Sequence, residues 1–156
     1  MTYYLGVDPG KSGGFALLDS VGQVLHTTKM LDTEAEIVEW LVEIQHRWGS
    51  YQGARISGML ERAASSPQMG VRSAFTFGRN YGTLRTALTA ALIPFDTVHP
   101  SKWQRALGCL SRGDKNVTKR RAAELFPSVT MTHAIADACL IAEYCRRVHT
   151  IGASAP

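Results

Sequence analysis

The chain has 156 residues, a formal net charge of +4 and an isoelectric point near 9.1. This length suits one domain with a substantial core. The longest apolar stretch, Ala87 to Phe95, is too short and too mixed to cross a bilayer. Cys109, Cys139 and Cys145 lack metal-type spacing, which argues against a disulfide framework or a zinc site. No leader-like segment precedes the first predicted strand, so we expect a cytoplasmic protein without a membrane role.

The predicted elements begin with three strands and a helix. The strands are Tyr3–Val7, Phe15–Leu18 and Val24–Thr28. Thr33 and Glu36 have the spacing of a capping box at the start of the helix, and Gly49 is expected to end it. The apolar positions that predict its buried face are Ile37, Val38, Leu41, Ile44 and Trp48.

Strands and helices then alternate. The predicted strands are Arg55–Leu60 and Phe95–Val98, and the predicted helices are Ser73–Leu92, a short one opened by Pro100, Val117–Leu125 and Ala134–Val148. This order predicts a three-layer α/β fold around a mixed five-stranded sheet flanked by helices. We expect one domain over residues 1–150 and a loose tail over 151–156.

Two carboxylates are predicted at strand ends. Asp8 follows the first strand and opens a glycine-rich turn, and Glu61 ends the fourth strand. Asp8 is either a turn residue or an acid beside which a metal ion or phosphate can approach the backbone. Glu61 alone is more typical of a solvated strand-end acid than of a functional one. Strand ends of such sheets are common places for functional sites.

A third carboxylate, Asp137, lies in an almost wholly apolar helix, where a charge is costly unless it is paired or binds a cation. His133 lies four residues earlier, on the same helical face. The pair is either functional or a helix-start histidine with an acid paired to an arginine. Three converging acids favour a site for two Mg²⁺ ions about 4 Å apart that acts on phosphodiesters.

Several ordered motifs resemble one family. They are Val7-Asp8-Pro9-Gly10 with Gly13-Gly14, Leu60-Glu61, Phe75-Thr76-Phe77-Gly78-Arg79-Asn80-Tyr81-Gly82, Val98-His99-Pro100-Ser101-Lys102-Trp103, Leu107-Gly108, Glu124-Leu125-Phe126-Pro127 and Ala136-Asp137-Ala138 running into Leu140-Ile141-Ala142-Glu143-Tyr144. Together they cover nearly the whole chain. The set resembles the RuvC-type Holliday junction resolvases of the RNase H-like superfamily, in its compact phage and bacterial branch.

The resemblance implies an RNase H-like nuclease domain and a junction-cutting endonuclease of recombination and repair. It also implies that Asp8, Glu61 and Asp137 hold the metals, and that a homodimer acts on a four-way DNA junction. Many relatives carry a fourth acid where this chain has Ala134, so His133 is our candidate for the missing ligand or for a general acid/base, with Mn²⁺ a possible substitute for Mg²⁺. Some relatives have an aromatic residue shortly after the strand-end acid, where this chain has Ala63 and Ala64.

The basic residues of the second half predict contacts with DNA phosphates. The candidates are Lys102, Arg112, Lys115 and Lys119, in or beside the loops after the fifth strand. The acidic residues gather earlier in the chain, at Asp32, Glu34, Glu36, Glu39 and Glu43, so one face could meet DNA while another repels it. An ordinary solvated surface is the alternative for each basic position.

The helix Ser73–Leu92 is the candidate dimer interface, because it has more apolar residues than one sheet-facing stripe requires. They are Phe75, Phe77, Tyr81, Leu84, Leu88 and Leu92. Two other functions stay open: a non-catalytic module that binds branched DNA, and a fragment of an actin-like or sugar-kinase ATPase. A nuclease of this kind needs no nucleotide cofactor.

Overall fold

The computed structural model of the chain describes residues 1–62 and 69–152, which build one sheet covered by helices on both faces. The strands are β1 (Thr2–Asp8), β2 (Gly14–Leu18), β3 (Val24–Lys29), β4 (Arg55–Glu61) and β5 (Phe95–Val98). The helices are α1 (Glu34–Trp48), α2 (Val71–Ala90), α3 (Pro100–Ala106), α4 (Lys115–Leu125) and α5 (His133–Gly152), and a 3₁₀-helix spans Ser50–Gln52.

The sheet is mixed and its strands lie in the order β3-β2-β1-β4-β5. β1, β2 and β3 form an antiparallel meander, whereas β4 is parallel to β1 and β5 is parallel to β4. The predicted mixed five-stranded sheet is confirmed. Because β1 and β4 are parallel neighbours and Val7 pairs with Leu60, their carboxyl ends meet at one edge and bring Asp8 beside Glu61.

The alternation of side chains along β1 assigns the two faces of the sheet. Leu5 and Val7 enter a core with α1 and α2, and Tyr4 enters a second core with α3, α4 and α5. Asp8 is four residues from Tyr4 and therefore lies on the second face. The same alternation on β4 places Glu61 on that face, two residues after Met59 of the second core.

Gly6 allows α5 to pack unusually close to β1. A Cβ atom at Gly6 would collide with the carbonyl oxygen of Ala138 and the amide nitrogen of Ala142, and would lie 2.9 Å from the Ala142 Cβ. Because Gly6 has no side chain and the facing residues of α5 are alanines, the backbone of α5 lies directly against the backbone of β1. This contact fixes the depth at which α5 carries its side chains over the sheet.

Helix α1 confirms the predicted cap and corrects the predicted buried face. The Glu36 amide donates to the Thr33 hydroxyl (3.2 Å) and the Thr33 amide donates to the Glu36 carboxylate (2.8 Å), which completes the capping box. Val38 was predicted to face the core but is exposed, and Gln45 is buried instead. Gln45 is accommodated because its side-chain amide donates to the Leu92 carbonyl oxygen (3.0 Å).

Helix α2 begins two residues earlier than predicted and continues through Gly78 without a break. Its apolar residues divide into two groups, which corrects part of the predicted dimer surface. Leu84 and Leu88 are fully buried, so they are not available to a partner, and Tyr81 is partly buried against the same core. Phe75, in contrast, is 74% exposed.

The last two helices are slightly longer than predicted. Helix α4 starts at Lys115 because the Asp114 side chain accepts from the Asn116 amide (2.9 Å) and caps it. Helix α5 runs to Gly152, so it includes the first two residues of the predicted tail, and residues 153–156 lie outside the described part of the chain. Within the described ranges no helix combines the length and apolarity needed to cross a membrane.

Candidate active site

Asp8 is the most enclosed acid of the site. The Gly10 amide donates to its Oδ1 (3.0 Å), and a Cβ atom at Gly13 would lie only 2.7 Å from its Oδ2. The glycine-rich turn therefore wraps closely around this carboxylate. Burial raises the pKa of Asp8; the Gly10 amide lowers it, the charge of Asp137 raises it further, and Lys115 lowers it.

Glu61 ends β4 on the same face. Its Oε2 accepts a 2.8 Å hydrogen bond from the indole Nε1 of Trp103, a fully buried residue of α3. Burial, followed by the charge of Asp8, raises the pKa of Glu61 from 4.5 to about 7, although Trp103 opposes the rise. Near neutral pH the ionised form of this group is therefore in balance with the protonated form.

Asp137 joins the two strand-end acids from α5. Its Oδ1 is buried and has no hydrogen-bond partner among the described residues. Burial raises the pKa of Asp137, while the Thr118 hydroxyl, Lys115 and His133 lower it. The charge of Asp137 in turn raises the pKa of both Asp8 and Glu61, so the three acids form one electrostatic cluster.

Lys115 is a cation that acts on all three acids of this cluster. It is the first residue of α4, and its Nζ donates to the Ser12 hydroxyl in the turn after β1 (3.3 Å). Its charge lowers the pKa of Asp8, Glu61 and Asp137 alike. Lys115, one of the predicted DNA contacts, thus lies beside the acids and bonds to a residue that is 103 positions away in the sequence.

The other predicted site residues are less closely tied to the acids. His133, exposed at the first position of α5, lowers the pKa of Asp137. Lys102 and Arg112 are exposed, and Lys119 follows Lys115 by one helical turn. Across residues 1–62 and 69–152, none of these three forms a hydrogen bond or ion pair with the cluster. Ala63 and Ala64 lie outside the described residues.

The residue types of the cluster suit a metal ion, but their side chains are not arranged around a common position. Carboxylate oxygens are the ligands that Mg²⁺ and Mn²⁺ prefer, and the unpartnered Oδ1 of Asp137 is a buried acceptor available to a cation. In the described ranges, however, no three His, Cys, Asp or Glu side chains stand close enough to ligate one ion. The acids fit a divalent cation if their side chains turn toward it.

Sequence patterns did not reveal three neighbours of the acids. Trp103 and Thr118 are buried residues whose polar groups reach Glu61 and Asp137, and Ser12 holds Lys115. A tryptophan in a short helix after a strand was the one available signal, because a buried indole N–H requires an acceptor. The hydroxyl groups of Ser12 and Thr118 gave no such signal.

Comparisons with known proteins concern the fold. No protein-family model and no curated protein matches the sequence. Among solved structures, a Thermus thermophilus RuvC in complex with a Holliday junction substrate is 17% identical, with 97% of both chains covered and a TM-score of 0.72. A second Thermus thermophilus RuvC structure is 18% identical over 96% of both chains, with a TM-score of 0.73. The chain therefore has the RuvC fold that its motifs predicted, an RNase H-like arrangement spanning nearly its whole length.

Proposed function

We propose that the chain is a divalent-metal-dependent endonuclease that resolves four-way (Holliday) DNA junctions by paired nicks. The observation that carries the proposal is the convergence of Asp8, Glu61 and Asp137 on one face of the sheet. The charge of Asp137 raises the pKa of both Asp8 and Glu61, the charge of Asp8 raises that of Glu61, and the Oδ1 of Asp137 is a buried acceptor without a partner among the described residues. The fold is shared with a RuvC whose structure contains a Holliday junction.

The acids are proposed to hold two Mg²⁺ ions, or Mn²⁺ in their place. When bound, such ions supply charge neutralisation at the scissile phosphate and activation of the attacking water. The chain's own contribution is to gather three carboxylates at the ends of β1 and β4 and the start of α5. Burial at these positions makes their mutual repulsion costly, which favours any cation that relieves it.

Lys115 is proposed to contact the DNA backbone next to the acids. Its ammonium group offsets part of their charge, and its bond to Ser12 leaves two further N–H donors. Lys102, Arg112 and Lys119 are proposed as phosphate contacts farther from the cluster. Binding of DNA requires such cations, because the carboxylates alone would repel its phosphates.

His133 is proposed to replace the acid that many relatives carry where this chain has Ala134. It stands one helical turn before Asp137 and already lowers the pKa of that acid. We expect His133→Ala to reduce cleavage with Mg²⁺ and Mn²⁺ to different extents, or to change the pH profile between pH 6 and 9. Wild-type rates with both metals throughout that range would make the residue structural.

A homodimer is proposed because paired nicks on opposed strands need two sites. The exposed part of α2 is the candidate interface: Phe75 is exposed, and Cβ atoms at Gly78 and Gly82 would meet no other atom within 4 Å. Phe75→Arg should shift the purified chain toward monomer in sedimentation. Val21→Arg, which changes an 80% exposed residue in the β2–β3 turn, is the matched control. A strict monomer that still makes paired nicks would contradict the dimer.

The decisive experiment compares a synthetic four-way junction with a linear duplex of the same sequence and maps the nicks. We expect symmetric nicks in the junction with Mg²⁺ or Mn²⁺ and none with a chelator. Junction binding without nicks under every metal condition would favour a non-catalytic branched-DNA-binding module. Turnover of ATP without nicking would favour the actin-like or sugar-kinase type of ATPase.

A further inference from the structure

Trp103 stands out in helix α3. The helix has seven residues, and the buried residue among them is Trp103, which has no exposed surface. Helix α3 follows β5 directly, with Pro100 at its first position and His99 as its cap. The Arg62 amide donates to the Val98 carbonyl oxygen (2.7 Å), so the chain that leads into α3 is bonded to the chain that leaves β4.

The indole ring is fixed by its surroundings. It belongs to the second core, together with Met59, Val98 and Leu107. A ring that is enclosed on its faces cannot change rotamer without opening this core. Its Nε1 therefore delivers a donor to a constant position, and the acceptor at that position is Glu61 Oε2, at 2.8 Å.

We infer that Trp103 is a positioning residue for Glu61: it immobilises Oε2 and leaves Oε1 as the oxygen offered to a divalent cation. The inference rests on the proposed function, because it concerns the same cluster. An indole N–H only donates, so it suits an unprotonated carboxylate oxygen. Partners of this kind orient the ligands of metal sites.

The three acids differ in how firmly they are held. Glu61 is tied to a fully buried ring and Asp8 to the backbone amide of a turn, whereas Asp137 is bonded to the Thr118 hydroxyl and keeps its Oδ1 without a described partner. Since the cluster must rearrange to ligate one ion, Glu61 is the fixed reference and the side chain of Asp137 is the part that adjusts.

Trp103→Phe tests the inference because it keeps an aromatic ring in the core and removes the donor. We expect the protein to fold and to bind Mn²⁺ about tenfold more weakly in calorimetry without DNA. Leu107→Ala, a truncation in the same core that touches no carboxylate bond, is the matched control and should keep wild-type Mn²⁺ affinity. Equal Mn²⁺ affinity of Trp103→Phe and wild type would overturn the inference, as would an equal loss in Leu107→Ala.

A second measurement covers a Trp103→Phe variant that fails to fold. In the wild-type chain, the indole N–H signal of Trp103 in a ¹H–¹⁵N spectrum should move on titration with Mg²⁺, whereas those of Trp40 and Trp48 should stay. A Trp103 signal that is insensitive to Mg²⁺ would overturn the inference. Replacement of Trp103 by 3-benzothienyl-alanine, which has sulfur in place of the N–H, should weaken Mn²⁺ binding as Trp103→Phe does, and unchanged binding would contradict it.

The two proposals fail in different ways. A wild-type chain that binds Mn²⁺ through a Trp103-dependent site but never nicks a junction would refute the endonuclease and leave the positioning role intact. A chain that nicks junctions while Trp103→Phe binds Mn²⁺ normally would refute the positioning role alone.

Discussion

Helix α5 carries two carboxylates within two turns, and their surroundings are opposite. Glu143 is neutralised by two arginines: Arg146 donates to both of its oxygens at 2.7 and 2.9 Å, and Arg147 donates to Oε1 at 2.7 Å. Although burial raises it, these two partners bring the pKa of Glu143 below its ordinary value. Asp137 has an unpartnered oxygen, and burial raises its pKa.

The contrast separates an acid that is paired within its own helix from an acid that keeps a buried oxygen without a described partner. At Glu143 an i,i+3 and an i,i+4 neighbour supply the cations from the same helix. The positions three and four residues after Asp137 are Leu140 and Ile141, which belong to the core. Helix α5 thus supplies no arginine to Asp137, and the Oδ1 of this acid keeps no partner among the described residues, although the Thr118 hydroxyl bonds to the carboxylate.

The largest expected effect is on catalysis. Asp8→Asn, Glu61→Gln and Asp137→Asn should each abolish junction cleavage, because each removes the charge of a proposed metal ligand. Junction binding should persist, since contacts of lysine and arginine with phosphates supply most of the DNA affinity. Gel-based cleavage and binding assays measure both, with Glu39→Gln, an exposed acid of α1, as the matched control. Near-normal cleavage by any one of the three variants would remove that residue from the site.

The second effect is on stability, and only one of the two acids of α5 should be needed for it. Glu143→Gln should lower the free energy of unfolding by about 2–3 kcal/mol, because it leaves two partly buried arginines without their partner. Asp137→Asn should leave the metal-free protein equally or more stable. Urea denaturation in the presence of a chelator measures both values. A comparable loss in both variants would mean that Asp137 is structural.

The third effect is the pH dependence that Glu61 imposes on the metal-free protein. Its pKa is about 7 when folded and 4.5 ordinarily, so between these pH values the folded state holds a proton that the unfolded chain releases. The free energy of unfolding should therefore fall as the pH rises through this window. Relative to wild type, Glu61→Gln should gain about 3 kcal/mol from pH 4.5 to about pH 8.

Denaturation of both proteins at each pH, with chelator, tests this dependence. Glu39→Gln serves again as the control and should follow the wild-type curve. A constant difference between Glu61→Gln and wild type across the window would show that Glu61 ionises as it does in the unfolded chain.

The smallest effect is on the salt dependence of DNA binding. Lys115→Ala should reduce the slope of log K against log salt by about one unit if Lys115 contacts one phosphate. The loss should be the same for junctions of different sequence. Glu39→Gln should not reduce the slope. An unchanged slope for Lys115→Ala would restrict its role to the charge balance of the acids.

The sequence predicted the sheet well because local patterns determine it. The capping box of Thr33, the glycine-rich turn after Asp8 and the strand boundaries depend on neighbours in the chain, and they agree with the structure. Errors arose where a distant partner decides burial. Gln45 replaced Val38 on the buried face because the Leu92 carbonyl oxygen is available to its side chain.

The candidate site shows the same difference between local patterns and contacts of distant residues. Strand ends and an acid in an apolar helix predict Asp8, Glu61 and Asp137 from local patterns alone. The bonds of Lys115 to Ser12 and of Trp103 to Glu61 span 103 and 42 residues. No spacing rule predicts such pairs, because they depend on how α3 and α4 are placed against the sheet.

Gly6 affects the geometry of the site without taking part in its chemistry. It lies two residues before Asp8 on the same face of β1, directly beneath Ala138, the neighbour of Asp137. Because α5 rests on the bare backbone there, Gly6→Ala would lift the helix and carry Asp137 away from Asp8. A single hydrogen atom in place of a side chain thus sets the gap across which any shared ion has to be held.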